Sequence, residues 1–226
     1  MNIDSSGSMS STDPYRLRVD AAKSFSEKIL GMDSNSLFSI YDFGAGSNGT
    51  YKKTRQLTTD WTSNKDTIAT AIDLCKESGS TPLYESTGEI LDSFNTQISS
   101  TQYERAMLVL SDGAPSDSSY RTATISKSLS YGIPINTVLL GSNSTSYYNT
   151  MKQIALDTGG IFTSASDASD LADAFKNITL GTTEGYITYD LVFPDLSDKP
   201  LSYSSFTLDI KVSYGGESIT KTIDFN

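Results

Sequence analysis

Residues 106–113 read Ala106-Met107-Leu108-Val109-Leu110-Ser111-Asp112-Gly113. An unbroken apolar run of this length, with no polar alternation, is what a strand buried on both faces presents. The Ser-Asp-Gly that follows is turn chemistry and ends the strand sharply. A strand covered on both sides needs a layer of helices above and below it. This stretch therefore points to an α/β sheet that is mostly parallel.

The flanking sequence fits that reading. Downstream, helical patterns near 119–131 and 147–157 enclose an apolar strand at 133–140. A short strand at 161–163 and a helix near 168–178 follow. Upstream, Met1-Asn2-Ile3 is the stub of a strand that reads as truncated, running straight into Asp4. Thr12-Asp13-Pro14 reads as a helix start, and Leu17, Ala21, Phe25 and Ile29 recur every four residues as its apolar face. Strands are expected at 36–43 and 50–57. Their short Gly-rich link favours an antiparallel pair, because a parallel crossover needs a dozen or more residues. Helices are expected at about 63–76 and 83–97.

After Gly181 the pattern changes to strands at 186–193, 205–214 and 217–225, with Tyr214-Gly215-Gly216-Glu217 as a tight hairpin turn. Residues 1–181 are expected to form the α/β domain, and 182–226 a small all-β appendage or partial β-sandwich.

Composition narrows the chemistry. The 226 residues carry a formal net charge of −10 and contain no histidine and one cysteine, Cys75. A histidine general base, a Ser-His-Asp triad and a His- or Cys-built zinc site are thereby excluded. The acidic balance argues against nucleic acid or anionic lipid as a partner. No apolar run approaches the ~18 residues of a membrane span, and no leader peptide is visible ahead of Asp4. Asp outnumbers Glu by 20 to 7, and 37 Ser with 26 Thr make the chain rich in hydroxyls. Such composition is common in bacterial surface and secreted proteins. If a metal binds, these oxygen donors suit a hard cation: Mg²⁺, Ca²⁺ or Mn²⁺.

The residues that carry this chemistry begin at the end of the first strand. Asp4-Ser5-Ser6-Gly7-Ser8 sets three oxygen side chains at alternate positions in a tight turn. Gly79-Ser80-Thr81-Pro82-Leu83-Tyr84 opens a helix, and Leu110-Ser111-Asp112-Gly113 closes the buried strand. Both should reach the same sheet edge, since ligands of open α/β sheets bind at the carboxyl ends of strands. By itself the Asp4 turn could be no more than a capped strand end.

Taken together, these three segments resemble the metal-ion-dependent adhesion site of von Willebrand factor A domains, and the resemblance covers about residues 1–180. It implies a Rossmann-like sheet with one antiparallel edge strand. It also implies metal contact by Ser6, Ser8 and Thr81, and by Asp4 and Asp112 directly or through water. The cation would be Mg²⁺, with Mn²⁺ or Ca²⁺ as substitutes, and a partner protein would offer it an Asp or Glu carboxylate. The first strand departs from the family pattern in having only three residues before Asp4.

The expected function is thus metal-dependent protein binding or adhesion, outside the cell or at its surface, without catalysis. The alternative is an intracellular subunit assembling with an AAA-type ATPase, as in chelatases. Gly44-Ala45-Gly46-Ser47-Asn48-Gly49 matches a dinucleotide fingerprint, but a strand rather than a helix follows it, so it reads as a hairpin loop. Asp167, Asp170 and Asp173 cluster at a helix start, where the dipole favours them. In some relatives the last helix moves with metal ligation, and here residues 168–178 would take that role.

Overall fold

A computed structural model of the chain describes residues 1–44, 53–141 and 144–165, and the backbone of 46–47, 50–51, 206–214 and 217–225. In chain order the elements are β1 (Asn2–Asp4), α1 (Met9–Thr12), α2 (Leu17–Met32), β2 (Tyr41–Phe43), β3 (Gly46–Ser47), β4 (Thr50–Tyr51) and β5 (Thr54–Gln56). There follow α3 (Lys65–Asp73), α4 (Leu83–Gln97), β6 (Met107–Ser111), α5 (Arg121–Tyr131), β7 (Ile135–Leu140), α6 (Thr145–Thr158), β8 (Phe162–Ala165), β9 (Phe206–Tyr214) and β10 (Glu217–Phe225).

Six strands form one sheet in the order β5-β2-β1-β6-β7-β8. All neighbours run parallel except β5, which pairs antiparallel with β2 at the edge. β6 is buried along its whole length, as the apolar run predicts. Its side chains alternate between two cores. Leu108 and Leu110 pack with Val19, Ala22, Phe25 and Ile29 of α2 and with Ile68 and Ile72 of α3. Met107 and Val109 pack with Ile90, Leu91 and Phe94 of α4 and with Met151 and Ile154 of α6. Each fully buried side chain of this size contributes ~1.5–3 kcal/mol.

The short β1 is held from both sides, with Asn2 opposite Tyr41 and Val109. From β1 the chain passes to β2 on one flank and later returns to β6 on the other. The loops leaving β1 and β6 therefore diverge at the carboxyl edge of the sheet. That divergence is the switch point at which open α/β sheets bind ligands.

Local structure departs from the sequence reading in three places. The second helix begins at Leu17, not at Pro14. The Asp13 carboxylate accepts the main-chain N–H of Leu17 at 2.7 Å and of Arg18 at 3.1 Å, so Asp13 caps this helix from four residues before its start. Arg16 takes a left-handed φ of 56° to make the junction. The expected strand 36–43 enters the ladder only at Tyr41–Phe43, while Phe38 makes an isolated bridge with Thr62. The strand expected over 50–57 splits into β4, paired with β3, and β5, paired with β2.

The backbone divides into two compact units, Met1–Ile187 and Thr188–Asn226. In the second, β9 and β10 pair antiparallel with Tyr214 opposite Glu217, as the hairpin reading requires. The helix expected at 168–178, the strand expected at 186–193, the Asp167–Asp173 cluster and the boundary at 181/182 lie outside the described residues.

Candidate functional site

Asp4 is the last residue of β1, and its side chain has no exposed surface. Its Oδ1 accepts the main-chain N–H of Ser6 at 2.8 Å, which closes the tight turn. Its Oδ2 accepts the Ser111 hydroxyl at 2.6 Å. Burial pushes the Asp4 pKa up to about 6, against the opposing hydrogen bonds from Ser111 and Ser6, and the nearby Asp112 carboxylate pushes it the same way. The turn continues into α1. The hydroxyls of Ser6, which is buried, and Ser8, which is exposed, lie 3.1 Å apart.

Asp112 follows β6 directly and is almost fully buried. The Thr12 hydroxyl, at the end of α1, donates to its Oδ2 at 3.3 Å. Ser111 ties this loop to the first, because the oxygen that donates to Asp4 also accepts the Gly113 N–H at 3.1 Å. Gly113 has φ +79°, and a Cβ there would come within 2.9 Å of Leu139 and Tyr147.

Thr81 stands just before α4 and is largely buried. Its loop is braced on both sides by main-chain bonds. Ser78 N–H donates to Ser5 O at 2.8 Å, Gly7 N–H to Gly79 O at 3.1 Å, and Ser116 N–H to Thr81 O at 2.9 Å. The Asp117 carboxylate caps α4 by accepting the N–H groups of Tyr84 and Glu85. Gly44 lies under the junction with φ +80°; a Cβ there would stand 2.3 Å from Ser80 O and 3.1 Å from Ser6 Cα.

All five residues singled out from the sequence (Asp4, Ser6, Ser8, Thr81 and Asp112) thus lie on three interlocked loops at one edge of the sheet. Among the described residues no three Asp, Glu, His or Cys side chains gather tightly enough to hold a metal by themselves. The group here is instead two carboxylates with neutral hydroxyls.

Several supporting residues were not legible from sequence. Ser111 bridges Asp4 to the β6 loop. Arg18 is wholly buried, donating from Nε to Asp4 O at 3.0 Å and pairing with Asp13 at 2.7 Å and with Glu77. Ser5 donates to Asp42 at 3.1 Å, and Asp42 in turn pairs with Arg55 at 2.5 Å. The cue for Arg18 was its place one residue after Leu17 on the apolar helix, where a basic residue borders the buried stripe.

The sequence profile of the von Willebrand factor type A domain matches residues 2–177. Among solved structures, the chain is similar to the von Willebrand factor type A protein of Catenulispora acidiphila, with 18% identity and a TM-score of 0.58 over 80% of this chain and 41% of that one. It is similar to the pilus adhesin SpaC of Lactobacillus rhamnosus GG at 14% identity and a TM-score of 0.61, over 81% of this chain and 29% of that one. It is also similar to the vWF domain of the type V pili tip protein Mfa5 of Porphyromonas gingivalis at 13% identity and a TM-score of 0.57, over 85% and 96% respectively. The chain spans well under half the length of the first two. No curated protein sequence matches it.

Proposed function

The chain belongs to the von Willebrand factor type A domain family, and from that premise we propose that it is a protein-binding module working through a divalent cation. In this reading Asp4, Ser6, Ser8, Thr81 and Asp112 hold Mg²⁺, or Mn²⁺ or Ca²⁺ in its place. The observation that carries the proposal is the Asp4 carboxylate, fully buried beside a second carboxylate, Asp112. Burial and, to a lesser degree, the neighbouring Asp112 charge disfavour the charged Asp4 carboxylate, and a divalent cation held by the pair would offset that cost.

The donor chemistry fits the group. Every donor is oxygen, as hard divalent cations require, and none is nitrogen or sulfur. Two carboxylates match the cation's charge, and the three hydroxyls add none. When bound, the cation supplies an electrophilic position that a partner's Asp or Glu carboxylate can occupy. The protein's own part is positional. Ser111 fixes the orientation of Asp4 and Thr12 that of Asp112, and main-chain bonds tie the Thr81 loop to the Asp4 turn and to Ser116. The reading is one of binding rather than turnover: a histidine base is excluded, and the five residues are carboxylates and hydroxyls suited to holding a cation.

A location outside the cell or at its surface is part of the proposal. The hydroxyl-rich composition supports it, as do similar folds in proteins described as a pilus adhesin and a pilus tip protein. Among the described residues no helix is long and apolar enough to cross a membrane.

Titration calorimetry with MgCl₂ tests the site, comparing the wild type with Asp4→Asn. Saturable one-to-one binding lost in the variant, with an unchanged circular dichroism spectrum, is the expected result. Equal heats from both proteins would overturn the reading. Capture of partners from a surface extract in Mg²⁺ against EDTA then tests the adhesive role.

A further inference from the structure

Aromatic side chains that reach solvent are unevenly placed on this molecule. Among the described residues the exposed aromatics are Tyr15, Tyr103, Tyr120, Tyr147 and Tyr148, with no Phe or Trp beside them. All but Tyr103 stand on segments that leave β1, β6 or β7 at the carboxyl edge of the sheet, where the candidate cation site lies. Tyrosine offers a large, stiff, half-polar surface and is enriched where proteins meet partners.

Three of these rings are tied to the site's own loops. Tyr147 sits against the residue after Asp112, since a Cβ on Gly113 would stand 2.9 Å from both Cβ and main-chain O of Tyr147. Tyr120 donates its N–H to Asp117 O at 3.0 Å, and the same loop reaches Thr81 O through Ser116 N–H. Tyr15, 82% exposed, closely follows Thr12, whose hydroxyl donates to Asp112. The next residue, Arg16, has a φ of 56°, and its guanidinium is fixed on the main-chain oxygens of Asp73, at 3.2 Å, and Cys75. This anchor holds the turn that leaves Tyr15 uncovered.

The charge beside the rings has one sign. Lys53 pairs with Glu85 and lies within the field of Glu89 and Tyr120. Glu89 and Asp117 form no ion pair among the described residues. The chain as a whole carries −10. An acidic surface set with tyrosine faces favours a cationic group, which gains from both the field and the ring quadrupole.

We propose that Tyr15, Tyr120 and Tyr147 form a rim that binds a polypeptide segment of mixed charge, in which the Asp or Glu that meets the cation is accompanied by Lys or Arg. The acidic residue reaches the cation, and the basic side chain lies over a tyrosine face on the Glu89 side. The inference rests on the cation-dependent reading above and adds which partners that site prefers. A partner rich in acid alone would be repelled by the same surface.

A phage-displayed pool of segments about ten residues long, each with one fixed central Asp and random residues elsewhere, tests this on the full chain in MgCl₂. Selection on the wild type should enrich Lys and Arg roughly threefold or more near the Asp. The triple variant Tyr15→Ser, Tyr120→Ser, Tyr147→Ser, which keeps all five proposed cation ligands, should lose at least half of that enrichment. Tyr→Phe at the same positions keeps the ring faces and should restore it. Raising NaCl from about 50 to about 500 mM should lower it. No basic enrichment on the wild type, or equal enrichment on the serine variant, would overturn the proposal. So would stronger capture of oligogalacturonate, which brings a carboxylate and a sugar face but no cationic group. Calorimetry with MgCl₂ on the same proteins keeps the two readings apart. A wild type that binds Mg²⁺ yet selects no basic residues overturns the rim alone, whereas one that binds no Mg²⁺ overturns the cation site and the rim with it.

Discussion

Arg18 and Asp4 are joined by a hydrogen bond from the guanidinium Nε to the main-chain oxygen at 3.0 Å, with both residues fully buried. The same guanidinium is neutralised by Asp13 and Glu77. A charge thus sits inside the protein, directly behind the first candidate ligand, and anchors the end of β1.

Arg18→Met should therefore be strongly destabilising. It leaves the buried Asp13 and the half-buried Glu77 without their counter-charge, and breaking one side of a buried pair costs ~3–5 kcal/mol. Urea unfolding measures this, and a loss below about 1 kcal/mol would contradict the assignment. Arg18→Lys keeps the charge but not the fork, so an intermediate loss is expected.

The Arg18–Glu77 pair also sets an acid limit. Partial burial pushes the Glu77 pKa up, but the Arg18 hydrogen bond and charge outweigh it and hold the carboxyl below its ordinary value. A carboxyl depressed in the folded state stabilises the fold above its unfolded pKa, about 4.3. That stability is lost as pH falls through the lower folded value. The wild type should lose stability below pH ~4.3, and Glu77→Gln should flatten that part of the curve. Identical acid profiles from chemical denaturation would count against the pairing.

Ser111→Ala tests positioning of the proposed cation ligand. The substitution removes the 2.6 Å bond to Asp4 and the acceptor for Gly113 N–H, yet leaves all five proposed ligands in place. Residues that orient metal ligands typically account for 10–100-fold in affinity. Mg²⁺ binding by calorimetry should weaken by that factor while Tm in EDTA changes little.

Gly44→Ala should disturb the same site from beneath. At φ +80°, and with Ser80 O only 2.3 Å from the added Cβ, the chain must move. The strain is of order 1–3 kcal/mol. Both Tm and Mg²⁺ affinity are expected to fall together, unlike the Ser111 variant.

Cys75 should be inert in the folded protein. Burial, helped by the Asp42 charge, pushes its thiol up to about 12, leaving almost no thiolate at pH 8. Ellman's reagent should find no reactive thiol in buffer and one per chain in urea. Rapid reaction of the native protein would refute the burial.

Much of this architecture was legible because its signals are local. The run 106–110 announced a central strand, and the expected helix at 83–97 coincides with α4. The three hydroxyl- and Asp-bearing segments could be placed on one edge from topology alone. What escaped reading depends on partners far along the chain. Arg18 looks like a surface residue until Glu77, 59 positions away, is brought to it. The four-residue spacing of Leu17, Ala21, Phe25 and Ile29 identified the right helix but not its full buried stripe, which also takes in Arg18, Ala22 and Ser26. Thr12-Asp13-Pro14 was read as the helix start, yet the extra turn through Arg16 could not be foreseen from a Pro that usually opens a helix.

The three loops at the sheet edge are held to one another by main-chain donors and acceptors: Ser78 to Ser5, Gly7 to Gly79, and Ser116 to Thr81. Such braces are indifferent to the lettering of the residues that make them. Outward residues such as Tyr15 and Tyr120, both exposed, can therefore be exchanged without shifting the frame beneath. What the module prefers to hold and how firmly its loops are set are separable traits, and a library randomised at the outward positions could alter the first while leaving the second intact.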